Sequence, residues 1–396
     1  MNAREKFHAI MKFDTSVQTL KWEFGYWADT LLRWYSEGFP GKHGIPGGLK
    51  GGEEVFGEGI PWKEGAEPFA TDVSDYFSMD QGFERVPLNL LFDPPFEYNV
   101  LEEDEEHRII VDDMGIKKQV RKDETSIPRF IGWPVKNRDD WERLKSERIK
   151  AGIGSRIPSD IVQLKDRYRS RSFPLTIGGY PHGFFGTIRF LMGDETLFTS
   201  YYDQPDLVHE INTTLCSMWI EVFSNVLDMG IELDCADMWE DMSYRGGPLI
   251  SPAHFEEFMS PYYKKLTGFL KSRGVKNIWV DTDGDCSKLI PLFLECGVTG
   301  LSPMEVQAGM DVVEVRKQFP ELQIFGGIDK RAPARGKIEI DRELSSKLPF
   351  MLKRGGFIPY LDHLIPPDVP WEGFEYYRKE LTRYISGSKN LYSGAK

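Results

Sequence analysis

Asp281 and Asp283 sit in the stretch IWVDTDGD (278–285), an apolar run that ends in three aspartates spaced two apart around a glycine. Residues two apart on a strand share a face, so both side chains point the same way. Inside an enclosed sheet such a pair is costly unless it shares a proton, binds a cation or meets a basic group. Three chemistries fit the pair beside a histidine, for which His363 in GFIPYLDH is the candidate. The three residues can ligate a metal with one position left open, since zinc accepts both Asp oxygen and His nitrogen. They can serve as general acid and base, one pKa being raised by its neighbour. They can also hold a cationic or polyhydroxylated substrate with no metal. Asp285, directly before CSKLIPLFLE, reads as a helix cap.

The elements that must position these residues recur along the C-terminal two thirds. Short apolar runs rich in β-branched or aromatic residues, each followed by a turn and a helical pattern, predict strands at 173–180, 231–238, 276–284, 298–305, 323–329 and 356–363. A further strand is expected at 17–27, and RVPLNLLF (85–92) is the candidate for the eighth. Runs that stay apolar until their last residues suit parallel strands covered by helices. In SPAHFEEFMSPYYKKLTGFLKSRG, Ser251 suits an N-cap, Pro252 the first helical position and Gly274 the stop. No G-x-G-x-x-G opens a helix after the first strand, so a parallel (β/α)8 TIM-type barrel is preferred to a dinucleotide-binding sheet. The chain reads as one barrel domain over 1–396. Residues 38–135 break the rhythm: a glycine-rich loop, then a β-meander, predict a β-rich insertion packed over one barrel end, in which the acidic LEEDEEH forms a solvated hairpin turn.

In such a barrel the chemistry gathers where the strands end. Those ends deliver Trp22, Glu23 and Tyr26, then Tyr180 and His182, then Asp237, Trp239, Glu240 and Asp241. Asp281 and Asp283 follow, with Glu305, Asp329, Asp362 and His363 after them. A net charge of −13, from 49 basic and 62 acidic residues, argues against nucleic acid or an anionic membrane as the main partner. The amphipathic start MNAREKFHAIMKFD has no signal-peptide core, and no apolar stretch approaches a span, so a cytoplasmic protein is expected. The four cysteines, lacking C-x-x-C pairing, are expected to be reduced and structural.

The segments GTIRFLMGDETLFTSYYDQPDLVHEI, GPLISPAHFEEFMSPYYKKL, GVTGLSPMEVQAGMDV, GGIDK and GGFIPYLDHLIPPDVP, in this order, resemble the uroporphyrinogen decarboxylase superfamily. The resemblance covers roughly residues 170–385, is weaker at LKWEFGYW, and implies the superfamily's β/α barrel. The decarboxylase branch carries an arginine-rich segment after its first strand for the substrate's carboxylates; here KWEFGYWADTLLRW places Glu23 and aromatics instead. The corrinoid-dependent methyltransferase branch holds a zinc on a His-x-Cys pair and a third ligand, usually Cys. The matching positions here are Asp281 and Asp283 for the pair and His363 for the third, a harder set suited to an oxygen substrate such as a methyl ether.

What the resemblance implies is a cobamide-dependent methyltransferase component, for instance of an O-demethylase, moving a methyl group between a small methylated compound and a corrinoid (cobalamin) carried by a partner protein. A divalent metal, zinc by its relatives, would sit on Asp281, Asp283 and His363. Glu240, Glu305 and Tyr180 are the candidates for proton supply or orientation. Trp22, Glu23, Tyr26, Trp239 and Asp329 are the candidates for substrate contact, and a homodimer is compatible with the chain. Two rivals are metal-free decarboxylation of a porphyrinogen or other carboxylate, with the aspartates on pyrrole N–H groups, and a non-catalytic barrel that binds a small ligand.

Overall fold

The computed structural model describes residues 1–44, 49, 51–56, 69–122, 128–149 and 154–387. Seven strands form one parallel, curled sheet: β1 (Glu84–Arg85), β2 (Leu175–Gly178), β3 (Cys235–Trp239), β4 (Asn277–Asp281), β5 (Gly300–Ser302), β6 (Gln323–Phe325) and β7 (Phe357–Ile358). They lie side by side in chain order. Helices follow each strand from β2 onward, among them Phe184–Met192, Ser260–Ser272, Val312–Gln318, Lys337–Arg354 and Trp371–Ile385. This is the TIM-type β/α architecture expected from the alternation of apolar runs and helical patterns.

The strands are shorter than the apolar runs, because pairing ends where the chain turns into the loops. The candidate at 85–92 contributes only its first residue, within β1. The stretch expected as a strand at 17–27 is regular only at Gly25–Trp27, which pairs antiparallel with Glu54–Phe56. Residues 19–25 nevertheless fill the eighth place in the wall. On one side Thr19 Oγ1 donates to the Phe357 carbonyl (2.6 Å) and Ile365 N to the Gly25 carbonyl (3.0 Å). On the other, Trp22 Nε1 donates to the Gln81 carbonyl (3.0 Å).

The bottom of the barrel is closed by the N-terminal helix α1 (Ala3–Met11). Asn2 and Glu5 form a capping box at its start, and the buried set Ala3, Phe7, Ile10 and Met11 has helical spacing. Phe7 packs against Trp22 and Trp279 with ring centroids 6.2 and 6.3 Å apart. Around them Gln323 Nε2 donates to Asn277 Oδ1 (2.9 Å) and to the Met11 carbonyl (3.0 Å).

Ser251 caps its helix as expected, accepting from His254 N at 3.1 Å, but the helix is broken into Pro252–Phe258 and Ser260–Ser272. Pro261 explains the break, since it lacks an N–H and crowds the preceding turn. Asp285 caps a turn by accepting from Ser287 N (3.0 Å); the next helix starts later, at Ile290. The meander is a four-stranded antiparallel sheet of Asn99–Glu103, His107–Val111, Lys117–Arg121 and Arg129–Gly132. LEEDEEH is its exposed first turn, where Asp104 accepts from Glu106 N and His107 N. Part of the glycine-rich stretch before it lies outside the described residues. All four cysteines are buried and free, and burial pushes the Cys216 thiol up to about 11 and that of Cys286 up to about 12. Among the described residues no helix is long and apolar enough to cross a membrane.

Candidate functional site

Alternation along β3, β4 and β6 points Asp237, Trp279, Asp281 and Phe325 inward, where a cavity of about 70 Å³ remains. Its floor is aromatic, formed by Trp22, Phe83, Trp279 and Phe325. Its upper wall carries Phe24, Tyr360, Ser302 and Asp281, with Arg85 and Asp237 to one side and Glu23 to the other. Two of these acids already have cations. Asp237 pairs with Arg85 (2.5 Å) and accepts from Thr176 Oγ1 (2.7 Å). Glu23 pairs with Arg378 (3.1 Å) and accepts from Leu361 N (2.8 Å). Among the described residues Asp281 has no such partner. Burial first, and then the charges of Asp241, Asp283 and Asp237, hold its carboxyl well above the usual carboxylate range against the pull of Arg85.

Above the cavity is the acidic mouth. His363 Nε2 lies 3.3 Å from Asp283 Oδ2, and Phe24 stacks on the imidazole at 5.2 Å. Burial pulls the His363 pKa down, but the hydrogen bond and charge of Asp283 outweigh it and leave the imidazole above its ordinary value. Asp241, held at a left-handed φ of 42°, is pushed up to about 7 by burial and by Asp283. Glu54 is raised by burial, with Asp283 adding to the rise and His363 opposing it. Glu305 accepts from Gly284 N (3.1 Å) and meets Lys330 Nζ at 3.4 Å.

The sequence-predicted residues therefore divide. Asp283, His363 and Glu305 meet at the mouth, while Asp281, Trp22 and Glu23 line the cavity beneath it. Others have structural work, contrary to expectation. Glu240 is fully buried and caps the helix Phe184–Met192, accepting from Phe184 N (2.8 Å), Phe185 N (2.7 Å) and Gly186 N (2.9 Å) as well as from the Tyr263 hydroxyl. The reason is local: the helix starts on Gly183, which has no capping side chain, and a Cβ there would stand 1.9 Å from the Trp239 carbonyl oxygen. Asp329 is clamped by Arg331 through two hydrogen bonds (2.8 and 2.7 Å), which outweigh burial and lower its pKa. Tyr26 is core, packed edge-on against Trp34 and Phe374. Trp239 stacks on Phe190 (5.0 Å) and meets Tyr180 edge-on (4.9 Å), forming a wall under the meander apart from the cavity lining. His182 points away from the rim, fully buried between Trp219 and Phe223, and burial lowers its pKa to about 4.

Arg85, Asp241 and Glu54 are the additions that sequence reasoning left without a role. Arg85 opens the eighth-strand candidate without a sequence signal for a role, and Glu54 lies in a loop whose pairing to Gly25–Trp27 has no periodic signal.

The donor chemistry fits a divalent ion in part. Two donors each about 2.0 Å from a tetrahedral zinc sit roughly 3.3 Å apart, the separation of Asp283 Oδ2 and His363 Nε2. Among the described residues no three His, Cys, Asp or Glu side chains form a ready-made ligand set, because Asp281 faces the cavity instead of joining the pair.

A parallel barrel with an acidic, histidine-bearing mouth is the class this geometry defines. The chain matches the uroporphyrinogen decarboxylase (URO-D) family over residues 107–384, most of its length, and it belongs to that family. No curated protein matches the sequence. Among solved structures, a methyltransferase from Methanosarcina mazei is similar with a TM-score of 0.49 and 17% identity, over 68% of this chain and 76% of that one. The apo form of 3-keto-D-glucoside 4-epimerase from E. coli is similar with a TM-score of 0.32 and 12% identity, over 57% of this chain and 84% of that one.

Proposed function

We propose that the protein moves a methyl group between a small methylated compound and a corrinoid carried on a partner protein, using a divalent metal at the barrel mouth. The observation that supports this most is the crowding of acid there: Asp283 meets the His363 imidazole, Asp241 and Glu54 lie within electrostatic reach of both and are raised by burial and by Asp283, and Asp281 is raised at the cavity below. Such a cluster is costly unless it serves a cation or a proton, and perturbed groups of this kind gather at functional sites. The ion is assigned to Asp283 and His363, with Asp241 and Asp281 as the carboxylates within electrostatic reach. A metal bound there supplies Lewis acidity to the heteroatom that exchanges the methyl group.

The chain's own residues do the rest. Phe24 and Asp283 hold the imidazole in one orientation from two sides. The aromatic cavity excludes water from the reacting group and buries its apolar surface. Asp241, whose carboxyl burial and Asp283 push up, is the acid beside the mouth placed to exchange a proton. The decarboxylase alternative needs cations along the cavity for a poly-acid substrate, and among the described lining residues Arg85 is the one cation, already paired with Asp237.

The test is a methyl-transfer assay with cob(I)alamin and a panel of methyl ethers and methylamines, following formation of methylcobalamin by its absorbance. Wild type is expected to react with at least one donor, with Asp283→Ala and His363→Ala each at least about 100-fold slower. Transfer that survives both substitutions, or none with any donor beside carbon dioxide release from a carboxylated substrate, rejects the reading.

A further inference from the structure

The cavity beneath the mouth has a composition of its own. Six aromatic rings bound it, four of them in contact in series and two forming a separate pair. Trp22 meets Phe83 edge-on at 5.9 Å, Phe83 meets Trp279 at 5.4 Å and Trp279 leans on Phe325 at 4.9 Å. Phe24 and Tyr360, 6.2 Å apart, complete the upper part. The polar groups within this box cancel in pairs, Asp237 with Arg85 and Glu23 with Arg378, and one carboxylate, Asp281, is left over. A box lined by six aromatic rings, in which one carboxyl group has no cation of its own among the described residues, is unsuited to an anion. It suits a weakly hydrated cation, which draws on ring quadrupoles and on a desolvated counter-charge together. A metal ion is a poor occupant, because ring faces offer it no donor atoms and the remaining oxygens, from Ser302 and Tyr360, are bonded to each other at 3.1 Å. The volume of about 70 Å³ suits a small organic headgroup and not an extended one.

We infer that this cavity binds a methylated ammonium group, with Asp281 as its counter-charge and the aromatic floor as its cage. The inference rests on the methyltransferase reading only in naming that group as the methyl-bearing compound; the binding itself follows from the box. Selectivity over a neutral molecule of the same shape then comes from Asp281 and the rings, since apolar burial is shared by both.

The experiment is isothermal titration of the full-length protein with choline and with its neutral isostere 3,3-dimethylbutan-1-ol. Choline is expected to bind at least about tenfold more tightly than the isostere. Asp281→Asn, which keeps the shape of the side chain, should remove most of that preference while leaving the isostere's affinity unchanged. Phe24→Leu, a second variant that keeps an apolar wall and loses a π face, should weaken choline several-fold and the isostere little. Equal affinity of wild type for the two compounds, or binding of neither, overturns the inference. The two readings fail separately. Methyl transfer from a neutral ether with no preference for choline leaves the methyltransferase and removes the cage, whereas a choline preference with no methyl transfer from any donor leaves the cage and removes the methyltransferase.

Discussion

Asp234 and Asp281 lie at opposite ends of two paired strands, and the molecule treats them differently. Asp234, just before β3 at the bottom of the barrel, accepts from Arg171 through Nη2 (2.8 Å) and Nε (3.2 Å), from Arg4 Nε (2.8 Å) and from Leu175 N (2.8 Å), with His8 Nε2 at 2.6 Å. Burial alone would raise its pKa, but the hydrogen bonds of His8, Arg4 and Arg171 outweigh it and hold the carboxyl far below the usual range. Asp281, at the top of β4, is partly buried, lies within electrostatic reach of three further aspartates and is held far above that range. The bottom acid is a fastener, compensated on every side. Asp281 at the top is left without a cation of its own among the described residues, which is tolerable only where a ligand, ion or proton completes it.

The sharpest way to break this comparison is to remove each acid and measure stability by urea unfolding. Asp234→Ala strands Arg171, whose side chain is 2% exposed, and should cost about 3–5 kcal/mol. Asp281→Asn removes repulsion and no partner, so stability should stay within about 1 kcal/mol of wild type or rise. Equal losses from the two would erase the distinction between the ends.

The pH dependence separates them further. Asp241 titrates at about 7 when folded and near the ordinary aspartate value of about 3.9 when unfolded. Between those values the folded chain binds more protons at this site, so its contribution to stability falls as pH rises through that window, the cost being complete above about 7. Asp234 has the opposite sign: its stabilisation is complete above the unfolded value and is lost as pH falls below it. Asp241→Asn should therefore flatten the decline between about pH 4 and 7 and change nothing at lower pH, as read from urea midpoints across a pH series. The smallest effect belongs to an acid that needs neither device. Asp104, exposed in the hairpin turn, accepts two backbone N–H groups, and Asp104→Ala should move the urea midpoint least of these substitutions.

The contrast also marks what sequence could carry. The barrel was legible because buried parallel strands read as apolar runs that end in polar residues, and Asp283, Glu305 and His363 from those ends lie together at one end of it. The roles within it were not, because Glu240, Asp329 and Asp281 look alike in sequence and differ only in what folds around them. Glu240 is spent on a helix whose Gly183 start supplies no cap, a debt incurred more than fifty residues earlier in the chain. Asp329 had a local clue, Arg331 two residues on, which clamps it. Two-residue spacing placed Asp281 and Asp283 on one face only as far as the strand lasts; β4 ends at Asp281, so Asp283 turns toward His363 while Asp281 stays over the cavity. Glu54 reaches the mouth from a glycine-rich loop, where nothing periodic announces a position.

Metal content of untagged wild-type protein, measured beside Asp283→Ala and His363→Ala, tests most directly whether the acidic mouth is a cation site. Near-stoichiometric divalent metal in wild type, lost in both variants while their folding is retained, is the predicted result. Wild type that carries no metal, even after soaking with zinc, would contradict it.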